Sequence, residues 1–106
     1  MVRAVDCGLK PDVVRSLQQV FAQFPVIDHV LLYGSRAKGN FRNGSDIDLT
    51  ILLKPGAKPG PDLYAEISEC IESLDLIYTI DLSFFSEIKN PALVDHIERV
   101  GVRFYP

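Results

Sequence analysis

The chain has no tryptophan, one methionine and only two cysteines among its 106 residues. Cys7 and Cys70 form no C-x-x-C pair and no zinc-like spacing, so reduced thiols are the expectation. No apolar run approaches the ~20 residues of a membrane helix. The N-terminus carries acid and glycine where a signal peptide needs an apolar core. A cytoplasmic protein with no membrane association is expected. Positive charge is also short: the formal net charge is −3. That argues against an extended nucleic-acid partner, which needs a basic footprint. No glycine loop runs into G-K-[ST], so there is no Walker A site. No G-x-S-x-G elbow occurs, and neither His29 nor His96 neighbours Ser35 in sequence, so a serine nucleophile is not indicated.

What is present reads as one globular domain. Hydrophobic residues make up 47% and charged residues 24%, ordinary values for a folded chain. The length suits a single domain over 1–106 with a modest core, and Met1–Lys10 read as a loose lead-in. Pro11-Asp12 opens a first helix. Val13, Val14, Leu17, Val20, Phe21 and Phe24 give it an apolar stripe, and Pro25 ends it. Asp28–Tyr33 reads as a strand, Arg36–Asn40 as one helical turn and Asn43-Gly44 as a tight turn. Asp46–Lys54 reads as a second strand. After the Pro55–Gly60 loop, Pro61-Asp62 opens another helix, with Leu63, Ile67, Cys70, Ile71 and Leu74 inward. That makes Cys70 a core residue rather than a reactive one. Leu76–Leu82 reads as a third strand. A last helix follows Asn90-Pro91 and is capped by Gly101, and Val102–Tyr105 closes the chain as a short strand. The expected fold class is α/β: a mixed sheet of about four to five strands with helices mainly on one face.

Chemistry concentrates in Leu31–Leu53, LLYGSRAKGNFRNGSDIDLTILL. Asp46 and Asp48 stand two residues apart on a strand, so they share a face, roughly 6–7 Å apart along it. Ile47, Leu49, Ile51 and Leu53 take the opposite, wholly aliphatic face. Two such acids can hold a divalent cation. Gly34-Ser35, just upstream, lets the backbone approach a phosphate closely. Arg36, Lys38 and the more weakly indicated Arg42 are candidates to neutralise a triphosphate. Ser45, next to the acids, is a further candidate nucleotide contact. Asp81, on an otherwise apolar strand, is costly without a partner or a cation and is the candidate third acid, with Asp75 as substitute. Two Mg2+ ions about 3.5–4 Å apart can clamp an in-line displacement at phosphorus. Asp46 and Asp48 would bridge them, and Asp81 would hold the second ion and help take an acceptor proton. The simpler alternatives are a solvated strand entry for the paired acids and an ion pair for Asp81. Arg36 and Lys38 divide evenly between phosphate binding and ordinary surface charge. His29 and His96 read as structural or surface residues, and Tyr33 and Tyr105 as packing at the sheet.

Gly34-Ser35, ten intervening residues and Asp46-Ile47-Asp48 resemble the signature of the polymerase-beta-type nucleotidyltransferases. The string GSRAKGNFRNGSDIDL, and a helix followed by Gly101–Tyr105, resemble its minimal nucleotidyltransferase (MNT) branch. The resemblance runs from about Asp12 onward. It implies a small α/β domain using magnesium and a nucleoside triphosphate, usually ATP. The family's paired acids match Asp46 and Asp48, its third acid best matches Asp81, and its phosphate-binding Gly-Ser matches Gly34 and Ser35. Stand-alone MNT proteins often pair with a helical HEPN ribonuclease toxin, as antitoxins that transfer AMP to a toxin tyrosine. Larger relatives add an acceptor-binding domain. This chain is too short to carry one, so another chain is expected to complete the acceptor site.

The implied activity is therefore AMP transfer from ATP to a protein hydroxyl. The alternative is a non-catalytic or weakly nucleotide-binding antitoxin that neutralises its partner by direct binding. Transfer to a small molecule such as an antibiotic is a third reading, against which the missing second domain counts.

Overall fold

A computed structural model describes residues 8–39, 42 and 44–106. Residues 1–7 of the expected Met1–Lys10 lead-in, Asn40 at the end of the expected helical turn, and the turn residue Asn43 lie outside the described residues. The sheet is built around strand β2 (Ile47–Leu53). Successive side chains on a strand point to opposite faces, and here the two faces differ in chemistry. Ile47, Leu49 and Ile51 are 0–1% exposed, while Asp48 and Thr50 lie on the other side. β1 (Ile27–Tyr33) runs antiparallel to β2, pairing Leu32 with Leu49 and Tyr33 with Asp48. β4 (Val102–Tyr105) lies antiparallel on the far side of β1. β3 (Ile80–Phe84) runs parallel to β2. The strand order is β3-β2-β1-β4, a mixed four-stranded sheet.

Helices α1 (Pro11–Ala22) and α3 (Pro61–Glu72) pack together over the aliphatic face. Proline occupies the first turn of each, where its missing N–H breaks no bond. Leu17, Val20 and Phe21 of α1 join Ile67 and Ile71 of α3 in one core with Val30, Leu32, Ile47, Leu49 and Ile51. Cys70 packs against this core, as its helical register implies. The Gln18 amide ties α1 to β4 by donating to the Phe104 carbonyl at 2.9 Å.

Helix α4 (Pro91–Val100) starts from Asn90, whose side chain accepts the Ala92 amide at 2.9 Å. It packs on β1 and sets His96 edge-on against the Tyr33 ring, at 6.3 Å between centroids. Tyr33 shares its face with Asp48, so α4 covers the β1 side of the acid face and leaves the acids at the rim. Gly101 follows α4, but not for left-handed freedom: its φ is −63°. A Cβ there would stand 2.5 Å from the Ile97 carbonyl oxygen, so glycine is needed for close approach.

The third strand begins later than its apolar string suggests. Leu76–Leu82 reads as continuous, yet pairing starts at Ile80. Asp75 takes a left-handed conformation (φ 54°) at the exit of α3. Residues 76–79 then cross to the sheet, with Ile77 91% exposed and Tyr78 stacked on Arg36. On a strand over Leu76–Leu82, Asp81 would be the next-to-last residue, and that placement is corrected. Asp81 is the second residue of β3, level with Asp48, because β2 and β3 run parallel. No helix among the described residues is long and apolar enough to cross a membrane.

Candidate functional site

Three segments end at one edge of the sheet: the C-terminus of β1 and the N-termini of β2 and β3. Antiparallel pairing puts Tyr33, the last residue of β1, beside Asp48. Parallel pairing puts Asp81 on the other side of Asp48. Asp46 lies exposed one residue ahead of β2. The acids picked from the D-x-D spacing and the lone acid of β3 therefore converge on one edge. Asp75 instead sits at the exit of α3, six residues upstream of Asp81.

Gly34 connects the Gly-Ser break to the acids. Its φ of 77° and ψ of −157° lie in a region only glycine occupies readily. A Cβ on it would collide with Asp48 Oδ2. The absent side chain therefore makes room for a carboxylate oxygen, and the Asp48 carboxyl and the Gly34 backbone form one surface. Ser35 follows as the first residue of α2 (Ser35–Lys38), a single turn closed by left-handed Gly39.

Electrostatics single out Asp48. Burial, together with Asp81 and Asp46, pushes its carboxyl above the usual carboxylate range, and His96 opposes this. Burial also raises the Tyr33 phenol; the hydrogen bond with the Ser83 side chain works the other way, and Asp81 and Asp48 add to the rise. Two residues farther along β2 and β3 on the same face, Ser83 donates its hydroxyl to Thr50 Oγ1 at 3.0 Å. Thr50 is fully buried, so this hydroxyl pair continues the acid face into the covered part of the sheet.

The basic residues separate. Lys38 and Arg42 are exposed. Arg36 is 2% exposed and donates Nε and Nη2 to the Ser45 carbonyl at 3.2 and 3.0 Å. Ser45 is likewise engaged in its loop: its hydroxyl accepts the Arg42 amide at 2.9 Å, and its amide donates to the Arg42 carbonyl at 3.0 Å. Left-handed Gly44 (φ 84°) completes that turn. His29 pairs with Asp28 at the opposite end of β1, 2.6 Å away. Tyr105 packs on Phe21 at 5.9 Å between centroids.

Sequence reasoning missed two neighbours of the acids, Tyr33 and His96. Tyr33 was readable in principle, since the last strand residue before Gly34 must flank whatever β2 presents there. His96 carried no such signal, because only the packing of α4 across β1 brings it near Asp48.

The arrangement fits magnesium. Carboxylate oxygens are its preferred ligands, and the raised Asp48 carboxyl marks a negative charge that a cation would relieve. Among the described residues, no three His, Cys, Asp or Glu side chains gather closely enough to hold an ion by themselves. Magnesium commonly takes one or two carboxylates and completes its shell with substrate phosphates and water, which suits an acid pair beside a Gly-Ser break.

Residues 15–106 match the family model for polymerase beta nucleotidyltransferases. The chain belongs to that family. Its fold is also that of solved toxin–antitoxin complexes. One, solved with AMP-PNP, aligns at a TM-score of 0.64 and 20% identity, covering 91% of this chain and 73% of that one. A MntA–HepT complex aligns at 0.63 and 15% identity, covering 90% and 71%. A complex of tri-AMPylated Shewanella oneidensis HEPN toxin with MNT antitoxin aligns at 0.63 and 15% identity, covering 91% and 71%. At such identities the likeness is one of fold. No curated protein sequence matches the chain.

Proposed function

We propose that this nucleotidyltransferase-family chain transfers AMP from ATP to a hydroxyl of a protein acceptor, a HEPN-type toxin, as an MNT antitoxin. The observation that carries the reading is the meeting of Gly34 and Asp48 beside Asp81. A phosphate-approach element and paired acids on one edge are what in-line displacement at phosphorus requires. Solved toxin–antitoxin complexes with this fold, one with AMP-PNP and one with a tri-AMPylated HEPN toxin, support ATP as donor and a HEPN protein as acceptor.

In this account Gly34 gives the nucleotide phosphates access to the backbone, and Ser35 offers donors to their oxygens. Bound Mg2+ would supply charge neutralisation at the phosphates and acidify the attacking hydroxyl. Asp46 and Asp48 would hold it together with substrate phosphate oxygens and water. Asp81, exposed at the start of β3, would take the acceptor proton as the new P–O bond forms and pyrophosphate leaves. Tyr33 flanks Asp48 across the sheet, and Lys38, exposed on α2, would approach the triphosphate. The acceptor is supplied by another protein, in the cytoplasm.

The test follows the label. Incubation of a HEPN-type toxin with the chain, Mg2+ and ATP labelled at the α-phosphate should label the toxin, and ATP labelled at the γ-phosphate should not. Label from the γ-position would make the protein a kinase. No label from either, with a stable complex formed, would leave neutralisation by binding alone.

A further inference from the structure

Arg36 is the largest fully buried side chain among the described residues. Its position in the Gly-Ser loop invites the reading of a phosphate ligand, yet its side chain is buried. Two of its N–H groups converge on the Ser45 carbonyl, and its guanidinium carbon lies 5.2 Å from the centre of the Tyr78 ring. Ser45 is the residue before Asp46. Tyr78 lies two residues before β3 and three before Asp81. Arg36 itself stands in α2, two residues after Gly34. One guanidinium thus joins the three segments that carry the site.

We infer that Arg36 is a positioning residue: buried between the Ser45 carbonyl and the Tyr78 ring, it fixes the Gly-Ser turn, the entry to Asp46 and Asp48, and the entry to Asp81 relative to one another. The inference rests on the nucleotidyl-transfer reading for what the acids do, but the tether itself does not depend on it. Lysine cannot replace such a group. It keeps the charge but loses both the planar fork that meets one carbonyl and the flat surface that stacks on Tyr78. Small misplacements matter here, because ligating groups must be held within about half an ångström of their working geometry.

Four proteins test it: the wild type, Arg36→Lys, Tyr78→Leu and the Asp46→Ala/Asp48→Ala double variant. Mn2+ binding is read by electron paramagnetic resonance with α,β-methylene-ATP present. Affinity for that analogue is read separately at saturating Mg2+, and amide hydrogen exchange at Ser45–Asp48 is read without ligand. A positioning role weakens Mn2+ binding in Arg36→Lys by about 10–100-fold, the usual effect of removing a group that orients metal ligands. Analogue affinity falls by no more than Mn2+ binding does, and exchange at Ser45–Asp48 quickens. Tyr78→Leu, which removes only the stack, shows the same pattern at smaller size and serves alone if Arg36→Lys does not fold. Lost analogue affinity with unchanged Mn2+ binding would make Arg36 a phosphate ligand and overturn the proposal. Unchanged exchange in both variants would also overturn it. If the wild type bound neither Mn2+ nor the analogue, the transfer reading would fail, while faster exchange in Arg36→Lys would still establish the tether.

Discussion

The two faces of β2 are written by the same alternation and serve opposite ends. On one face, Ile47, Leu49 and Ile51 disappear beneath α1 and α3, and every contact there is satisfied by the chain. On the other, Asp48 stands between Tyr33 and Asp81 with its carboxyl raised by burial and by like charge. The first face holds the fold together. The second keeps charges close at a cost that the chain alone does not offset. Stability and activity should therefore respond in opposite ways to changes on the two faces, as expected where a site is strained for function.

The largest expected effect lies on the acid face. Asp46→Ala/Asp48→Ala should remove AMP transfer below detection while leaving circular dichroism and melting behaviour those of a folded domain. Unfolding of that variant would show that the acids belong to the fold. Next comes the aliphatic face. Leu49→Ala deletes fully buried methyl groups and should lower unfolding free energy by about 2–5 kcal/mol, with activity per folded molecule retained. Gly34→Ala touches both faces of the comparison. It forces a non-glycine residue to a positive φ, at about 1–3 kcal/mol, and drives a methyl against Asp48. Denaturant melts should show the loss, and transfer should fall far more than the melt alone explains.

A smaller effect concerns pH. Asp48 has a raised carboxyl, so in the ligand-free protein its contribution to stability is fully present below the unfolded value of 3.8 and is lost as pH rises through the folded value. Asp48→Asn removes that loss. The variant should melt higher than the wild type near pH 7, and the gap should close as pH falls toward about 4. A gap independent of pH would remove electrostatic crowding as its cause. The smallest effect is that of Mg2+ alone, which should raise the melting temperature of the wild type and not that of Asp48→Asn.

Much of this contrast was legible in the sequence because it rests on local periodicities. The alternation of Ile47–Leu53 fixed which side faces the helices, and the stripes of α1 and α3 fixed what covers it. Gly34-Ser35 and Asp46-x-Asp48 pointed to a candidate site, and the fold brings Gly34 against Asp48. The start of β3 was not legible. Leu76–Thr79 has strand-like composition, but its backbone is used to cross from α3, and Ile77 ends in solvent. Nor was the burial of Arg36, since a charged residue in a glycine loop looks the same in sequence whether it faces phosphate or a carbonyl. His96 depended on how α4 packs, which no local pattern records. The role of Gly101 was half legible: the residue was expected, but close approach to Ile97, not a left-handed turn, requires it.

The most direct test of the central claim is the intact mass of a HEPN-type toxin after incubation with this chain, ATP and Mg2+, beside the Asp46→Ala/Asp48→Ala variant. The toxin should gain one or more AMP units with the wild type and none with the variant. An unchanged mass, with both versions forming a stable complex, would contradict transfer to that partner and make the acid face a binding surface instead.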